Sequence, residues 1–362
     1  MKAAICREFG APLVIETVKL AKPAAGEVQV KLAACAICHS DITFMDGGWG
    51  GQLPQVFGHE AAGTIIAVGS GVNQAKVGDR VLVTLIRSCG HCSTCESGEP
   101  YLCPTQFSSD NQVSLSDASD NMIVKGLKTG GFAEEVVVDQ SQVVTIPDTI
   151  PMDAASLLSC GVVTGLGAVT NTAKVPLGSS VVIIGCGGVG LNSIQGALLV
   201  GANPIIAVDL IDKKLEAALD FGATHSINPK TQDTTAEVLN ITNGSGADFV
   251  FVAAGSPKAF EQGLELLSAS GTLVIVGMPP TGDTINLEVG NIAAAGQRIL
   301  GSKMGSTRLR VDIPKLVALY EQGRLKLDEL ITGRYQLHQI NEAIEEVKAD
   351  KALRNVIIFD NP

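Results

Sequence analysis

The stretch Val181-Val182-Ile183-Ile184-Gly185-Cys186-Gly187-Gly188-Val189-Gly190 decides the fold. Four apolar β-formers run straight into G-x-G-x-x-G, and a helical pattern comes next. Alone that motif is weak, because an ordinary glycine-rich turn in an α/β sheet reads the same way. Here Asp209 stands nineteen residues beyond Gly190, at the end of the next strand-like run. Each part has a use in holding a dinucleotide. The glycines permit a tight turn and a close backbone approach, the helix N-terminus faces the pyrophosphate, and the acid takes the ribose hydroxyls. Asp209 would repel a 2′-phosphate, so NAD is expected over NADP.

Outward from this turn a βαβ rhythm continues. Strand-like runs at 181–184, 205–208, 249–253 and 272–276 alternate with helical stretches at 213–221, 235–241 and 257–267, the pattern of a doubly wound parallel sheet. Upstream, short alternating runs at 27–32, 63–68, 79–84 and 134–138, punctuated by Gly and Pro, predict a β-rich domain. Downstream come amphipathic helices at 313–322 and 340–349 and a strand at 355–359. The polar segment 105–130 is expected to be a long surface loop. The division expected is a β-rich domain over 1–161, an α/β domain over 162–303 and a return to the first over 304–362.

The 362 residues carry 26 Lys plus Arg against 37 Asp plus Glu, a net charge of −11 that argues against nucleic-acid or anionic-membrane partners. With 46% hydrophobic residues the chain can bury a large core. The opening MKAAICREFG lacks the apolar stretch of a secretory signal, and no run of about 18 apolar residues occurs further on. A soluble, cytoplasmic protein is expected. In a reducing compartment nine cysteines read as metal ligands, reactive thiols or small buried residues, not as disulfides.

Four of them, Cys89, Cys92, Cys95 and Cys103, fall within fifteen residues. Such a set can close around one tetrahedral ion, as in structural zinc sites. An iron–sulfur cluster competes, since Pro104 follows the last cysteine, but the gap before that cysteine is seven residues where the ferredoxin spacing has three. Cys6, Cys35 and Cys186 have no assigned role and default to small core residues. A dispersed set, Cys38-His39-Ser40-Asp41, Gly58-His59-Glu60 and Ser159-Cys160-Gly161, is unremarkable piece by piece. Together two Cys and one His would make a three-ligand catalytic zinc site, although spacing cannot prove that they meet.

In order and separation, these constellations resemble those of the zinc-dependent medium-chain alcohol dehydrogenases. The likeness covers 1–359 and includes Leu158-Ser159-Cys160-Gly161 followed by Thr164-Gly165, Asn171-Thr172-Ala173-Lys174-Val175 and Phe221-Gly222-Ala223-Thr224. The texture is most similar to the long-chain branch, with its aryl-alcohol and glutathione-dependent formaldehyde dehydrogenases. The resemblance implies a GroES-like catalytic domain plus a Rossmann cofactor domain, with substrate bound where the two meet. It also implies two zinc ions per chain, NAD, a small alcohol or aldehyde as substrate, and a homodimer or tetramer with segment 285–300 buried between subunits.

Residue by residue, the resemblance makes Cys38, His59 and Cys160 the catalytic zinc ligands. Bound zinc lowers the pKa of water from about 15.7 to about 7 and would acidify an alcohol similarly. Asp41 would orient His59, Glu60 would assist ligand exchange, and Ser40 would receive the alcohol proton. Either carboxylate could instead be a structural partner. Several relatives continue the relay to a histidine where Thr43 stands, and threonine does not ionise near neutral pH. His39, Thr164, Lys214, Val276 and Arg354 would join Gly185, Gly187, Gly188, Val189, Gly190 and Asp209 around the cofactor. Trp49, Leu85, Phe132 and Met304 would line an uncharged pocket, though Trp49 could merely pack its loop and His39 could be a solvated surface residue. Phe107 replaces the arginine with which glutathione-dependent relatives grip a carboxylate, which favours an apolar or aromatic primary alcohol over the glutathione adduct. A zinc-stabilised binding or redox-sensing protein without catalysis is the reading from another class.

Overall fold

The structure, a computed structural model, describes residues 1–359, so 360–362 of the expected C-terminal return lie outside the described residues. The chain forms two compact units. Met1–Cys160 together with the chain from Arg308 onward makes one, and Gly161–Thr307 makes the other.

In the second unit six parallel strands run in the order His225–Ile227, Ile205–Val208, Val181–Ile184, Ala247–Val252, Leu267–Ile275, Arg298–Gly301. With strands numbered along the chain this is the doubly wound order 3-2-1-4-5-6, which places the first strand at the topological switch point. Val181–Ile184 and Ile205–Val208 are buried along their whole length, as expected where helices cover both faces. Helix Gly188–Leu199 succeeds the first strand at once, and its fit depends on glycine. A Cβ on Gly190 would lie 1.8 Å from the Gly185 carbonyl oxygen, and Gly185 itself has φ +92°. A second core, built from Val182, Ile206, Val250, Phe260 and Leu273, lies between sheet and helices.

In the first unit the long strand Glu27–Ala36 is the organiser. It pairs antiparallel with Glu60–Val68, Glu135–Asp139 and the returning strand Arg354–Ile358. Helix Ile340–Lys348 puts Ile340, Ala343, Ile344 and Val347 into the same core as Val28, Val30, Ile65 and Phe57. The strand register brings distant parts of the chain level with one another: Glu60 and Val356 stand opposite Ala36 from its two sides.

The structure corrects two expectations in detail. Segment 105–130 is not wholly irregular. Leu115–Ser116 pairs with Lys19–Leu20, Val124–Lys125 pairs with Gln55–Val56, and Leu115 and Ile123 are buried in the main core. Two apolar residues in a polar stretch give no periodic signal, yet they suffice to pin it down. Helix Leu309–Glu321 begins a turn earlier than expected. Pro314 suits a helix start, but the Arg308 backbone N–H donates to the Asp312 carboxylate at 2.9 Å and caps the helix before it. Among the described residues no helix is long and apolar enough to cross a membrane.

Candidate metal and cofactor sites

The dispersed set does converge. The ligand atoms of Cys38, His59, Glu60 and Cys160 lie within 4.8 Å of one another, and all four residues are buried. Cys38 caps the short helix His39–Met45, Glu60 opens strand Glu60–Val68, and His59 immediately precedes it. Asp41, fully buried, ties these pieces together. Its carboxylate accepts from the Gly58 N–H at 2.9 Å and the Cys38 N–H at 3.2 Å, and it faces His59 Nδ1 at 2.9 Å. The network assigns the Nδ1 proton to the bond with Asp41, which leaves Nε2 with its lone pair. Nε2 is buried and has no hydrogen-bond partner. A buried polar atom without a partner costs about 1–3 kcal/mol, so the arrangement is built for something that binds there.

The electrostatics point the same way. The Cys38 thiol is pulled well below its ordinary value, by the hydrogen bond from Cys160 first and by His59, against burial. Cys160 is pushed well up, by that same bond and by burial. Burial pushes His59 down, but the Asp41 carboxylate overrides it and leaves the imidazole raised. Two sulfurs and a ring nitrogen thus converge where a dication would balance them, and a soft S₂N donor set suits zinc.

Glu60 brings a partner the sequence did not reveal. Its carboxylate is ion-paired with Arg354, whose side chain is only 6% exposed, while Glu60 Oε1 and Arg354 Nε have no partner. Burial first, offset by Arg354, raises Glu60 to about 7. The two residues are 294 positions apart, and only the strand pairing on either side of Ala36 brings them together.

The four-cysteine lobe is local and half-buried. The sulfurs of Cys89, Cys92, Cys95 and Cys103 also lie within 4.8 Å of one another, with the Cys89 N–H directed at Cys103 Sγ at 3.4 Å. Helix Ser93–Glu96 and the turn Pro100–Leu102 fold the ligands inward. Hydrogen bonding from Thr105 lowers Cys89 to about 6, whereas burial and the neighbouring thiols raise Cys95 to about 12. Four thiolates cannot coexist there without a cation to hold them.

In the second unit the glycine loop has the form a pyrophosphate needs. A Cβ on Gly187 would meet nothing within 4 Å, so the backbone there is open. The Asp209 carboxylate accepts from the Cys186 N–H at 2.7 Å and the Ile211 N–H at 3.0 Å, at the carboxyl end of its strand. Gly188 and Val189 start the helix, Lys214 lies on helix Asp212–Asp220, and Val276 directly follows strand Leu267–Ile275. The Thr164 hydroxyl donates to the Met304 sulfur at 3.7 Å. The remaining expected residues belong to the first unit. Ser40 Oγ accepts from the Cys38 thiol at 3.5 Å, and the Thr43 hydroxyl donates to the His39 carbonyl at 3.0 Å. His39 is exposed, and Leu85 is half-buried. Phe132 is wholly buried, its ring so close to Gly58 that a Cβ there would lie at 2.6 Å. Trp49 packs edge-on against Phe44 at 4.8 Å, and Phe44 stacks on Phe57 at 6.0 Å.

Cys6, Cys35 and Cys186 are buried and unpaired. A surface hollow of about 740 Å³ lined by Thr149, Tyr320, Leu325 and Asp328 contains none of the expected site residues. Four of its polar groups pair with one another: Tyr320 donates to Asp328 at 2.9 Å, and Thr149 to Glu321.

Comparison with known proteins agrees with this geometry. Residues 24–148 match the alcohol dehydrogenase GroES-like domain and residues 188–322 match the zinc-binding dehydrogenase family. The chain belongs to the zinc-binding alcohol dehydrogenase family and is an oxidoreductase. It is 34% identical over 373 residues to S-(hydroxymethyl)glutathione dehydrogenase of Paracoccus denitrificans, covering 99% of both chains. Its fold matches that of an alcohol dehydrogenase zinc-binding domain protein from Burkholderia ambifaria with a TM-score of 0.94 at 33% identity, covering 99% of both chains. Benzyl alcohol dehydrogenase from Acinetobacter calcoaceticus gives 0.92 at 34% identity, again over 99% of both chains.

Proposed function

We propose that this dehydrogenase oxidises an apolar or aromatic primary alcohol to its aldehyde, reversibly, with NAD as the hydride acceptor and two zinc ions per chain. The observation that carries the reading is the buried, partnerless Nε2 of His59 beside the sulfurs of Cys38 and Cys160. Those three residues would hold the catalytic ion, and Cys89, Cys92, Cys95 and Cys103 the structural one. Zinc so held supplies Lewis acidity that lowers the pKa of an alcohol, and nicotinamide supplies the two-electron acceptor.

The chain's own residues do the rest. Asp41 keeps His59 in the ligating tautomer. Ser40, beside Cys38, takes the alcohol proton. Thr43 is committed to the His39 carbonyl and cannot act as a terminal base, so the proton leaves through the Ser40 side to solvent. Glu60, balanced near 7 between burial and Arg354, is a second carboxylate within reach of the metal residues. The loop Gly185–Gly190 opens backbone N–H groups to a pyrophosphate, with Lys214 of the same unit as a cation for the ribose end and Thr164 and Val276 beside the ring. Asp209 favours an unphosphorylated ribose, hence NAD.

Trp49, Leu85 and Phe132, in the unit that holds the metal residues, carry no charge, which favours an apolar alcohol. A second reading, oxidation of S-(hydroxymethyl)glutathione, is favoured by the Paracoccus relative's name. Against it, Phe107 offers no cation, and Arg87, 4.1 Å from its ring, is already paired with Asp110 at 2.5 Å. A homodimer is supported by the sheet edge at Arg298–Gly301 and by the exposure of Leu287, Val289 and Ile299 in segment 285–300. The free cysteines fit a reducing cytoplasm. The test is NAD reduction with ethanol, hexanol, benzyl and cinnamyl alcohol, geraniol, sorbitol, and formaldehyde with glutathione. Turnover of the aromatic or long-chain alcohols supports the reading. Turnover confined to formaldehyde with glutathione selects the second, and silence across the set overturns both.

A further inference from the structure

Asp41 ties down two of the three residues read as catalytic zinc ligands, through the Cys38 N–H and the His59 ring. The third, Cys160, is placed in another way. It closes a turn, 158–160, between helices Met152–Leu157 and Gly161–Gly167. Within that turn the Leu158 and Ser159 N–H groups donate to the Ala155 and Ser156 carbonyls at 3.0 and 3.1 Å, which fastens it to its own helix. Two buried hydroxyls fasten it to the sheet that carries the other ligands. Thr84 directly follows strand Arg80–Val83, and its hydroxyl donates to the Ser159 carbonyl at 2.7 Å. The Ser159 hydroxyl donates to the Ala61 carbonyl at 3.1 Å, on the strand that Glu60 opens and His59 precedes. Both residues are 0% exposed, and Ala61 stands opposite Val83 in the pairing of the two strands. Thr84 is itself fixed. Its N–H donates to the Gln142 carbonyl at 3.0 Å, and its carbonyl accepts from the buried Gln142 side-chain amide at 2.9 Å.

We propose that Thr84 and Ser159 are positioning residues for Cys160: their two hydroxyl bonds hold the Cys160 turn level with His59, as Asp41 holds Cys38 and His59, and so set the affinity of the catalytic metal site. This rests on the reading that Cys38, His59 and Cys160 hold zinc. Both hydroxyl protons are directed at main-chain carbonyls, so the pair acts on the backbone that carries the ligand. Valine at 84 keeps the shape of threonine and loses the donor, whereas serine keeps the donor. A buried carbonyl that loses its donor is costly to leave in place, so without these bonds the turn shifts away from the strands. A ligand set drawn from separate segments then loses the alignment of its third member.

The test compares wild type with Thr84→Val, Thr84→Ser and Ser159→Ala, the last removing a single hydroxyl from a chain that should still fold. Each is equilibrated with zinc against a graded chelator, and the zinc left per chain is measured. The ion missing from Cys38→Ser identifies the catalytic position. Its dissociation constant should rise about tenfold in Thr84→Val and in Ser159→Ala, the lower end of the usual loss when a ligand's orienting partner is removed. It should return toward wild type in Thr84→Ser, and the ion of the four-cysteine lobe should keep its affinity in all three. A melting temperature that falls in Thr84→Val and Ser159→Ala while the catalytic zinc keeps its wild-type affinity would make the two hydroxyls merely structural and overturn the proposal. Equal loss in Thr84→Val and Thr84→Ser would overturn it as well, since the donor would not be the agent. A wild type that holds zinc only in the lobe would fail at an earlier point: the reading of Cys38, His59 and Cys160 as ligands falls, and the proposal falls with it.

Discussion

The two cysteine clusters solve the same problem in opposite ways. Cys89, Cys92, Cys95 and Cys103 are neighbours in the chain, half-buried, and surrounded by little but their own turns. Cys38, His59 and Cys160 are drawn from three separated segments, are fully enclosed, and depend on Asp41, Glu60 and Arg354 around them. A local set can close round an ion as soon as its short loop forms, so it can serve as a staple. The dispersed set exists only after the β-rich unit has folded, and its orphaned Nε2 and raised Glu60 are strains that the finished fold sustains. Four thiolates would close a tetrahedral shell, whereas three donors would leave a position for chemistry.

The sharpest break between the two is Cys38→Ser. It should abolish alcohol oxidation and leave the far-ultraviolet circular dichroism unchanged, since Cys38 contributes little to the core. Full activity in that variant would separate the dispersed cluster from catalysis. Cys92→Ser should do the reverse. Losing a structural ion forfeits several kcal/mol of folding free energy, so the melting temperature should fall steeply while the surviving folded enzyme retains most of its kcat. An unaltered melting curve would show that the lobe is not a staple. Asp41→Asn comes next, with zinc affinity or activity lower by about 10–100-fold, the usual loss when a ligand's orienting partner is removed. The same substitution should leave zinc in the lobe untouched, and metal analysis would show it.

The smallest effect concerns pH, in the zinc-free chain. Glu60 sits at about 7 against an ordinary 4.5, because burial outweighs Arg354. A raised carboxyl binds its proton more tightly in the fold than in the unfolded chain. Its contribution is therefore complete below pH 4.5 and is lost as pH rises through about 7. The stability difference between wild type and Glu60→Gln should accordingly change in wild type's disfavour across that interval and level off above it. A constant difference from pH 4 to 8 would remove any role for Glu60 in the pH dependence of stability.

Legibility in the sequence divides along the same line between local and assembled. The strand–glycine–helix turn at 181–190 and the four-cysteine lobe are written in consecutive residues, and both form as read. The meeting of Cys38, His59 and Cys160 rested on resemblance, because nothing in their spacing turns the chain back to bring them together. The Glu60–Arg354 pair was invisible, since it needs the returning strand Arg354–Ile358 beside Glu27–Ala36. Short pieces such as Leu115–Ser116 and Val124–Lys125 were missed because two residues carry no period. The left-handed turn at Met304 and Ser306 was missed for a different reason: side chains there argue against the conformation, and only the seat formed by Gly167, Asn171 and Thr172 imposes it.

The most direct test of a catalytic and a structural zinc in one chain is elemental analysis of purified wild type and Cys38→Ser, together with their alcohol dehydrogenase activity. Two zinc ions per chain are expected in active wild type, and one, with no activity, in the variant. A wild-type enzyme fully active with a single zinc ion, or a Cys38→Ser chain that keeps both ions, would contradict the division of labour between the two clusters.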